Sequence, residues 1–409
     1  MSKKVFIIAD IGLDVNKGYH VGDEAMFCCN LHIYLNNHFD VTASSRSISH
    51  NRNNFTEVTD IYIKNKLFFL WLLTCSVLLK YFRINLFQGE FRTTVTELIG
   101  SDLLHISGGG NINSFWPGHI YFRCLMIYLA DLFNIPIIMT SQTIGPLNQI
   151  FHEIIIGWAL NKVKFIGVRD AVFSKKYLEK SGVTDPLVDL MTDDALQTDT
   201  LGLVSNDWLN TILANTDGQI NIGLSLHDWQ NISHYELITK GLVNISKKYP
   251  NAKFFAIPHL IDNNDEGDTG LMSKLLSESS IEKFYSFSYK DIIKISKDIE
   301  SIPLLIFYIT AQMDIVISSR YHGLVFSSVA SVPAIAINYD EYYRAKNEGF
   351  LSFYYDKIFS IGSNSTLLNI FSHVLLNKDN IIKNLKQKNL TLKRKNKYYL
   401  QHIIKQYIK

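Results

Sequence analysis

Apolar and polar positions along this chain come in blocks. Runs of four or five apolar residues, bounded by glycine or polar turns, are each followed by a segment with helical spacing. Val5-Phe6-Ile7-Ile8-Ala9 is the first such run, followed by Leu103–Ile106, Ile135–Met139 and Phe165–Val168. After residue 218 the pattern restarts with Ile220–Ser225, Lys253–Ile257, Phe284–Phe287, Asp314–Ile317 and Ala334–Ile337. Runs that are apolar throughout predict strands covered on both faces. Strands alternating with helices predict a parallel sheet. The stretch Thr198–Gly218 is polar and weakly periodic, and marks a boundary. The reading is an α/β chain of two Rossmann-like domains facing a cleft, over 1–200 and 215–375. The first carries an apolar insertion at about 66–91, and a basic helical tail follows over 376–409. Asp23 is placed to cap a helix through Ala25–Tyr34. Arg169-Asp170 precedes a helix with Lys175, Lys176 and Lys180 on one face.

Leu67–Leu79 (LFFLWLLTCSVLL) is the most apolar stretch. It is shorter than the ~20 residues that span a bilayer, so a buried or interfacial helix is expected. Lys3-Lys4 precede an apolar run that meets Asp10 at once, so no secretory signal is expected. The 409 residues suit two domains, and 47% apolar residues are ample for real cores. A net charge of +2 gives no argument for a nucleic-acid partner. Cys28, Cys29, Cys75 and Cys124 show no paired metal spacing and fit reduced thiols of a cytoplasmic protein.

Candidate chemistry concentrates at Ser318-Ser319-Arg320-Tyr321-His322-Gly323. A strand precedes this segment and a helix follows it. Such a junction, at the carboxyl end of a parallel strand, is where α/β proteins place ligands. The helix N-terminus offers N–H groups to an anion. Arg320 adds a planar donor fork and His322 a group that exchanges a proton near neutral pH. The plainer alternative is a helix start with a surface arginine and a hydrogen-bonded histidine. Elsewhere, each candidate also has two readings. Gly22, within a glycine loop Gly12–Gly22, suits close approach of an acceptor; Asp23 or Glu24 suits a base, or Asp23 is an N-cap alone. Gly108-Gly109-Gly110 offers backbone N–H groups, or is a tight turn. Asn111 and Gln142 suit sugar hydroxyls, or pin loops. Arg169 is a clamp, or pairs with Asp170 or Asp193 at the surface. His259 ends a strand and is a site candidate or a structural histidine; His227 is a weaker case. No metal set emerges. Asp262–Asp268 resembles a calcium loop but has Ser273 where the bidentate glutamate belongs, and Asp193-Asp194 lacks separated carboxylates.

Gly22-Asp23-Glu24-Ala25, Gly108-Gly109-Gly110-Asn111, Gln142-Thr143-Ile144-Gly145-Pro146, Val168-Arg169-Asp170, Asp193-Asp194-Ala195 and Arg320-Tyr321-His322-Gly323 occur in one order. In that order they resemble the polysaccharide pyruvyl transferase family. The chain departs from the family at Asp194, where proline is common. The resemblance implies a fold of the two-Rossmann-domain glycosyltransferase type. It implies transfer of a pyruvyl group from phosphoenolpyruvate to two hydroxyls of a sugar, forming a ketal in a cell-surface polysaccharide or its lipid-linked precursor. It assigns phosphoenolpyruvate contacts to Arg320 and His322, with Gly323 beside them, and maps a further arginine onto Arg169. It implies phosphoenolpyruvate as co-substrate, with no further cofactor expected; because two arginines can carry the charge and no convincing ligand set exists, no metal is expected either.

A glycosyltransferase using a nucleotide sugar is the alternative on the same scaffold. Many retaining enzymes of that type carry two glutamates eight apart, whereas Glu341 and Glu348 are seven apart. A non-catalytic glycan-binding protein is a third reading, opposed by Arg320 and His322 together. The apolar run beside Lys80 and Arg83, with the basic tail, adds the expectation of peripheral contact with the inner membrane face.

Overall fold

The computed structural model describes residues 2–12, 18–46, 55–202, 206–214, 218–227, 232–296, 301–361 and 366–407. Residues 13–17 of the glycine loop, parts of the polar stretch Thr198–Gly218 and the last two tail residues lie outside them. Contacts divide the chain into two units. The first holds Met1–Asp14, Met26–Asp194 and Lys395–Lys409; the second holds Val15–Ala25 and Ala195–Arg394. The sequence places a single break within 198–218. The contacts put it at Asp194/Ala195 and exchange two further segments, with borders inside two helices.

In the first unit the strands are β1 (Lys4–Ile11), β3 (Asp40–Ser45), β4 (Thr56–Thr59), β5 (Leu103–Ile106), β6 (Gly109–Ile112), β7 (Ile137–Ile144), β8 (Phe165–Val168) and β9 (Leu187–Leu190). They form one parallel sheet in the order β4-β3-β1-β5-β7-β8-β9, with β6 also on β7. Its helices are α1 (Val21–Asn36, from Met26 onward), α2 (Lys66–Phe82), α3 (Gly89–Ile99), α4 (Pro117–Leu132), α5 (Ile150–Leu160) and α6 (Phe173–Lys180). Side chains alternate across β1, so Phe6 and Ile8 join one apolar cluster with α2–α5 while Val5 and Ile7 join another. Phe27 and Tyr34 of α1, and Leu400, Ile403 and Ile404 near the C-terminus, complete the second cluster. Covering both faces is what the all-apolar strands require.

The second unit has β2 (Tyr19–His20), β10 (Ile220–Ser225), β11 (Ala252–Ala256), β12 (Leu260–Ile261), β13 (Phe284–Ser286), β14 (Ile315–Ser318) and β15 (Ala334–Ala336). Five of them form a parallel sheet in the order β13-β11-β10-β14-β15, and β2 pairs antiparallel with β12. Its helices are α7 (Asp207–Leu213), α8 (Ile232–Lys248), α9 (Asp268–Glu278), α10 (Tyr289–Ser296), α11 (Ile302–Ala311), α12 (Tyr321–Val329), α13 (Glu341–Leu351), α14 (Leu367–Leu376) and α15 (Lys378–Tyr407, to Arg394).

Several local features differ from what the sequence predicts, each for a physical reason. Helix α1 starts at Val21, so Asp23 and Glu24 lie inside its first turn, and Asp23 is not an N-cap. Strand β7 runs on through Ser141-Gln142-Thr143-Ile144, because its polar side chains find partners beneath it. The triglycine turn enters a short strand, β6, paired with that extension. The apolar run 67–79 is neither wholly buried nor wholly interfacial. Phe69, Leu72 and Cys75 of α2 are buried, while Leu67, Phe68, Leu70 and Trp71 are exposed. Asn65 caps α2 by accepting from the Phe68 N–H at 2.9 Å. The basic tail is a long helix as expected, but Lys378 pairs with Asp314, and Lys393 Nζ lies 2.6 Å from Asp199. Its charge is therefore partly balanced.

Candidate functional site

Parallel strands β10 and β14 end side by side, with Ser225 opposite Ser318. The chain then turns into α12, whose N-cap is Arg320 in an extended conformation. Gly323 is required there: a Cβ would overlap the Ser318 hydroxyl and reach 3.0 Å from Ser225 Oγ. Arg320 bonds with Asp268 at the start of α9. Its Nε lies 3.0 and 2.9 Å from the two carboxylate oxygens, and Nη2 also donates to Oδ1. Asp268 is itself 1% exposed and accepts from the His259 and Leu260 N–H groups at 3.0 and 2.9 Å. One edge of the guanidinium is thus fixed by a carboxylate that the fold holds rigidly.

His322 sits one residue into α12 from Tyr321. Its imidazole lies against Gly22, where a Cβ would overlap the ring. The contact joins the Gly22-Asp23-Glu24-Ala25 motif to a motif 300 residues later, all within the second unit. The same neighbourhood is tied by β2 on β12 and by the Val21 N–H donating to the His259 carbonyl at 3.0 Å. Asp23 lies 3.8 Å from His20, and Glu24 is buried.

His259 Nδ1 is 2.8 Å from Ser225 Oγ, and burial, with Arg320 adding to it, brings its pKa down to about 3. His227 Nδ1 is 2.9 Å from Ser319 Oγ, and its ring packs on Tyr339 and Tyr343 at 5.2 and 4.8 Å. Its Nε2 is buried without a hydrogen-bond partner among the described residues. Burial, then Arg320, then Lys346, push its pKa well below the ordinary value. Lys346 of α13 lies over the rings of Tyr321, Tyr342 and Tyr343 at 5.2, 5.6 and 5.7 Å. Neither Lys346 nor the weight of His227 is legible in the sequence. Lys346 gives no signal, because a lysine in a tyrosine-rich helix reads as a surface residue.

The remaining candidates lie in the first unit. Arg169, expected as a clamp, is 1% exposed and forms an ion pair with Asp193 at 2.8 Å. Its Nε donates to Thr143 Oγ1 at 2.8 Å. The pairing with Asp193 is one alternative the sequence offered, but it is a buried tie and not a surface one. Asp194 is a second buried node. It accepts from Asn30 (2.9 Å), the Gly108 N–H (3.0 Å), Thr140 (2.5 Å) and Ser141 (2.7 Å). The triglycine segment is therefore anchored from below at Gly108, while Gly109 and Gly110 form the start of β6. Proline could make none of these bonds, so the departure from the family pattern has a local purpose. Gln142 pins loops: its amide nitrogen donates to the Ser107 and Thr140 carbonyls, each at 2.8 Å. Asn111 donates to Asp10 at 3.3 Å.

Next to Asp194, Thr140 also bonds His105 Nε2 at 2.8 Å, and Tyr34 bonds Nδ1 at 3.0 Å. Burial lowers the His105 pKa from 6.5 to about 3. The folded value lies below the unfolded one, so this stabilisation is complete above 6.5 and is lost as pH falls toward 3. His105 alone is expected to cost ~1.4 kcal/mol per pH unit below that onset. Thermal unfolding at pH 7 and pH 5 measures it, and His105→Asn should reduce the difference by this share, the buried His227 and His259 supplying the rest. An equal loss in the variant would contradict the assignment.

Among the described residues no group of three or more His, Cys, Asp or Glu could hold a metal ion. No curated protein matches the chain. Solved structures share the fold at low identity. UDP-GlcNAc 2-epimerase from Neisseria meningitidis bound to UDP-GlcNAc aligns with TM-score 0.59 and 11% identity, over 98% of this chain and 100% of that one. Anabaena HepE in complex with UDP and glucose aligns at 0.55 and 10%, over 98% and 99%. Phytolacca americana UGT2 aligns at 0.54 and 9%, over 100% of both. The chain thus has the GT-B fold of glycosyltransferases and UDP-GlcNAc 2-epimerases. The polysaccharide pyruvyl transferase family model matches residues 20–341, from the strand that carries His20 to the start of α13. That span includes the Gly22 and His322 motifs that meet in the second unit, and the chain belongs to the polysaccharide pyruvyl transferase family.

Proposed function

We propose that the protein transfers a pyruvyl group from phosphoenolpyruvate to two hydroxyls of a glycan, forming a ketal and releasing phosphate. The observation that carries this reading is the grouping of Arg320, Lys346, His227 and His322 around the carboxyl ends of β10 and β14. Phosphoenolpyruvate is a small polyanion, and two cations of different geometry suit its carboxylate and phosphate. The first hydroxyl adds to C2 as the methylene carbon C3 takes a proton and becomes a methyl group. The C2–O bond to phosphate then breaks, leaving an oxocarbenium-like centre. The second hydroxyl attacks C2, and its proton leaves with the phosphate. His227 and His259 are held neutral by burial, so proton delivery falls to His322. Arg320 and Lys346 offset the charge that gathers on the departing phosphate. The reading requires no divalent metal.

Arg320→Lys and Lys346→Gln are each expected to weaken phosphoenolpyruvate binding about tenfold, a loss of ~1.4 kcal/mol. Calorimetric titration with phosphoenolpyruvate, and in parallel with UDP-glucose and UDP-GlcNAc, tests this. Tight binding of a UDP sugar with none of phosphoenolpyruvate would favour nucleotide-sugar chemistry instead.

We also place the protein at an anionic membrane surface, where a lipid-linked glycan would be met. No described helix is long and apolar enough to cross a membrane. The supporting feature is an exposed apolar face on the first unit. Leu67, Leu70 and Trp71 of α2, with Ile150, Ile154 and Trp158 of α5, are all exposed. Helix α4 links the two: Phe69 stacks on Tyr121, and Trp158 packs on Tyr128 at 5.0 Å. Lys66, Lys80 and Lys162 border this face, over Phe151, Phe133 and Trp158 respectively. Apolar and aromatic residues rimmed by lysines match an interfacial contact. Sedimentation with phosphatidylglycerol vesicles at low salt should carry down the wild-type chain. Trp71→Ser/Trp158→Ser should stay in the supernatant, and wild type remaining there would end this part of the proposal.

A further inference from the structure

A second constellation of charged groups lies at the carboxyl ends of β1, β3 and β4 in the first unit, and the pyruvyl-donor chemistry above does not use it. Asp10 is the penultimate residue of its buried strand, Arg46 follows β3 directly, and Asp60 follows β4 directly. Arg46 Nε lies 2.9 Å from Asp10 Oδ1, while Asn111 holds the other carboxylate oxygen. Backbone bonds set the spacing: the Arg46 N–H donates to the Ile11 carbonyl at 2.8 Å and the Asp60 N–H to the Ser45 carbonyl at 2.7 Å. From α4, His119 and Arg123 stand one turn apart, with Arg123 Nη1 3.2 Å from His119 Nδ1. Electrostatic coupling runs among all of them: Asp60 senses Arg123, Asp10 and Arg46, and so does His119.

Three features separate this group from a structural ion cluster. Arg46, Asp60 and His119 are half-buried, so a ligand can reach them. The position is the one that open α/β sheets use for ligands. Finally, large aromatic rings stand exposed beside it. Trp116 is 38% exposed and its carbonyl accepts from the His119 N–H at 3.1 Å. Tyr62 is 66% exposed, and its ring lies against Gly118 in the first turn of α4, where a Cβ would overlap it.

The charges decide the ligand class. Two arginines face two aspartates, so the cluster carries no net demand for an anion or a cation. What it offers is planar carboxylates that accept from neighbouring hydroxyls, and guanidinium groups that donate to them. Flat aromatic faces offer apolar contact to the C–H side of a ring. A neutral polyhydroxylated ring satisfies both. We propose that Asp10, Arg46, Asp60, His119 and Arg123, with Tyr62 and Trp116 as stacking faces, form a saccharide-binding site for the acceptor glycan. The pKa of Asp60 agrees with this role. Burial, against the pull of Arg123, raises it to about 6, which suits a carboxylate taking a proton from a sugar hydroxyl. The inference rests on the reading of the protein as a transferase acting on a sugar, but not on phosphoenolpyruvate as donor.

The test uses the full chain and a panel of methyl hexopyranosides and methyl N-acetylhexosaminides, followed by saturation-transfer NMR. At least one glycoside should bind the wild type. Asp10→Asn, Trp116→Ala and Tyr62→Ala should each weaken that glycoside about tenfold or more, while thermal unfolding and phosphoenolpyruvate titration stay as in wild type. Trp116 and Tyr62 are exposed, so those two variants keep the test open if Asp10→Asn does not fold. A glycoside that binds wild type and the aromatic variants equally would overturn the proposal, as would a wild type that binds none of the panel. Glycoside binding lost in the variants, in a protein that fails to bind phosphoenolpyruvate, would uphold this site and sink the donor assignment.

Discussion

Arg169→Met is expected to destabilise the first unit by ~3–5 kcal/mol, because it removes the cationic half of a fully buried ion pair with Asp193. Asp193 is 0% exposed and its partner 1%. A buried pair removed as a pair behaves differently: apolar replacement of both ends is often neutral or stabilising. Arg169→Met/Asp193→Leu should therefore recover most of the lost stability. The two roles considered for Arg169 part at this point. If it is a structural tie, the double variant regains phosphoenolpyruvate binding along with its fold. If it is a clamp, the double variant unfolds at a normal temperature yet still fails to bind. Thermal unfolding and calorimetric titration on the same three proteins decide between them.

Gly22→Ala is expected to cut turnover by ~10²–10⁴-fold, the range set by loss of a positioned acid. The new methyl group overlaps the His322 ring, which must swing out of place. The backbone at Gly22 is helical, so alanine brings no conformational strain and the fold should survive. The effect should match that of His322→Ala, and the two together should cost no more than either alone, since both remove one correctly placed imidazole. Phosphate release from phosphoenolpyruvate with a competent acceptor measures it. Additive losses would show that Gly22 serves the acceptor loop by itself, as its sequence context first suggested.

These expectations rest on contacts of unequal visibility in the sequence. The buried parallel strands were plain, because a run such as Phe165–Val168 has no other economical use. Strand β3 was not. Asp40–Ser45 reads as a polar loop, and only its place between β1 and β4 buries Thr42, Ser44 and Ser45. Arg320 and His322 were visible through their place between a strand and a helix. Lys346, Asp268 and the group around Asp10 were not, because each depends on side chains brought together over long separations. Asp268 ends the acidic stretch that resembles a calcium loop in the sequence, yet it is buried and fixes Arg320. Polar residues give no periodic signal of burial, and only tertiary partners reveal it.

The division of the chain has a practical outcome for anyone cutting it. The border between the units falls inside α1 and again inside α15, so neither unit is a contiguous stretch of sequence. A fragment beginning at Ala195 would leave behind His20, the partner of Leu260, and Gly22, the seat of the His322 ring. One ending before Lys395 would strip Leu400, Ile403 and Ile404 from the apolar cluster around Val5 and Ile7. Separate expression of the halves is therefore a poor route to an isolated second unit, which needs the Val15–Ala25 segment as well as Ala195–Arg394.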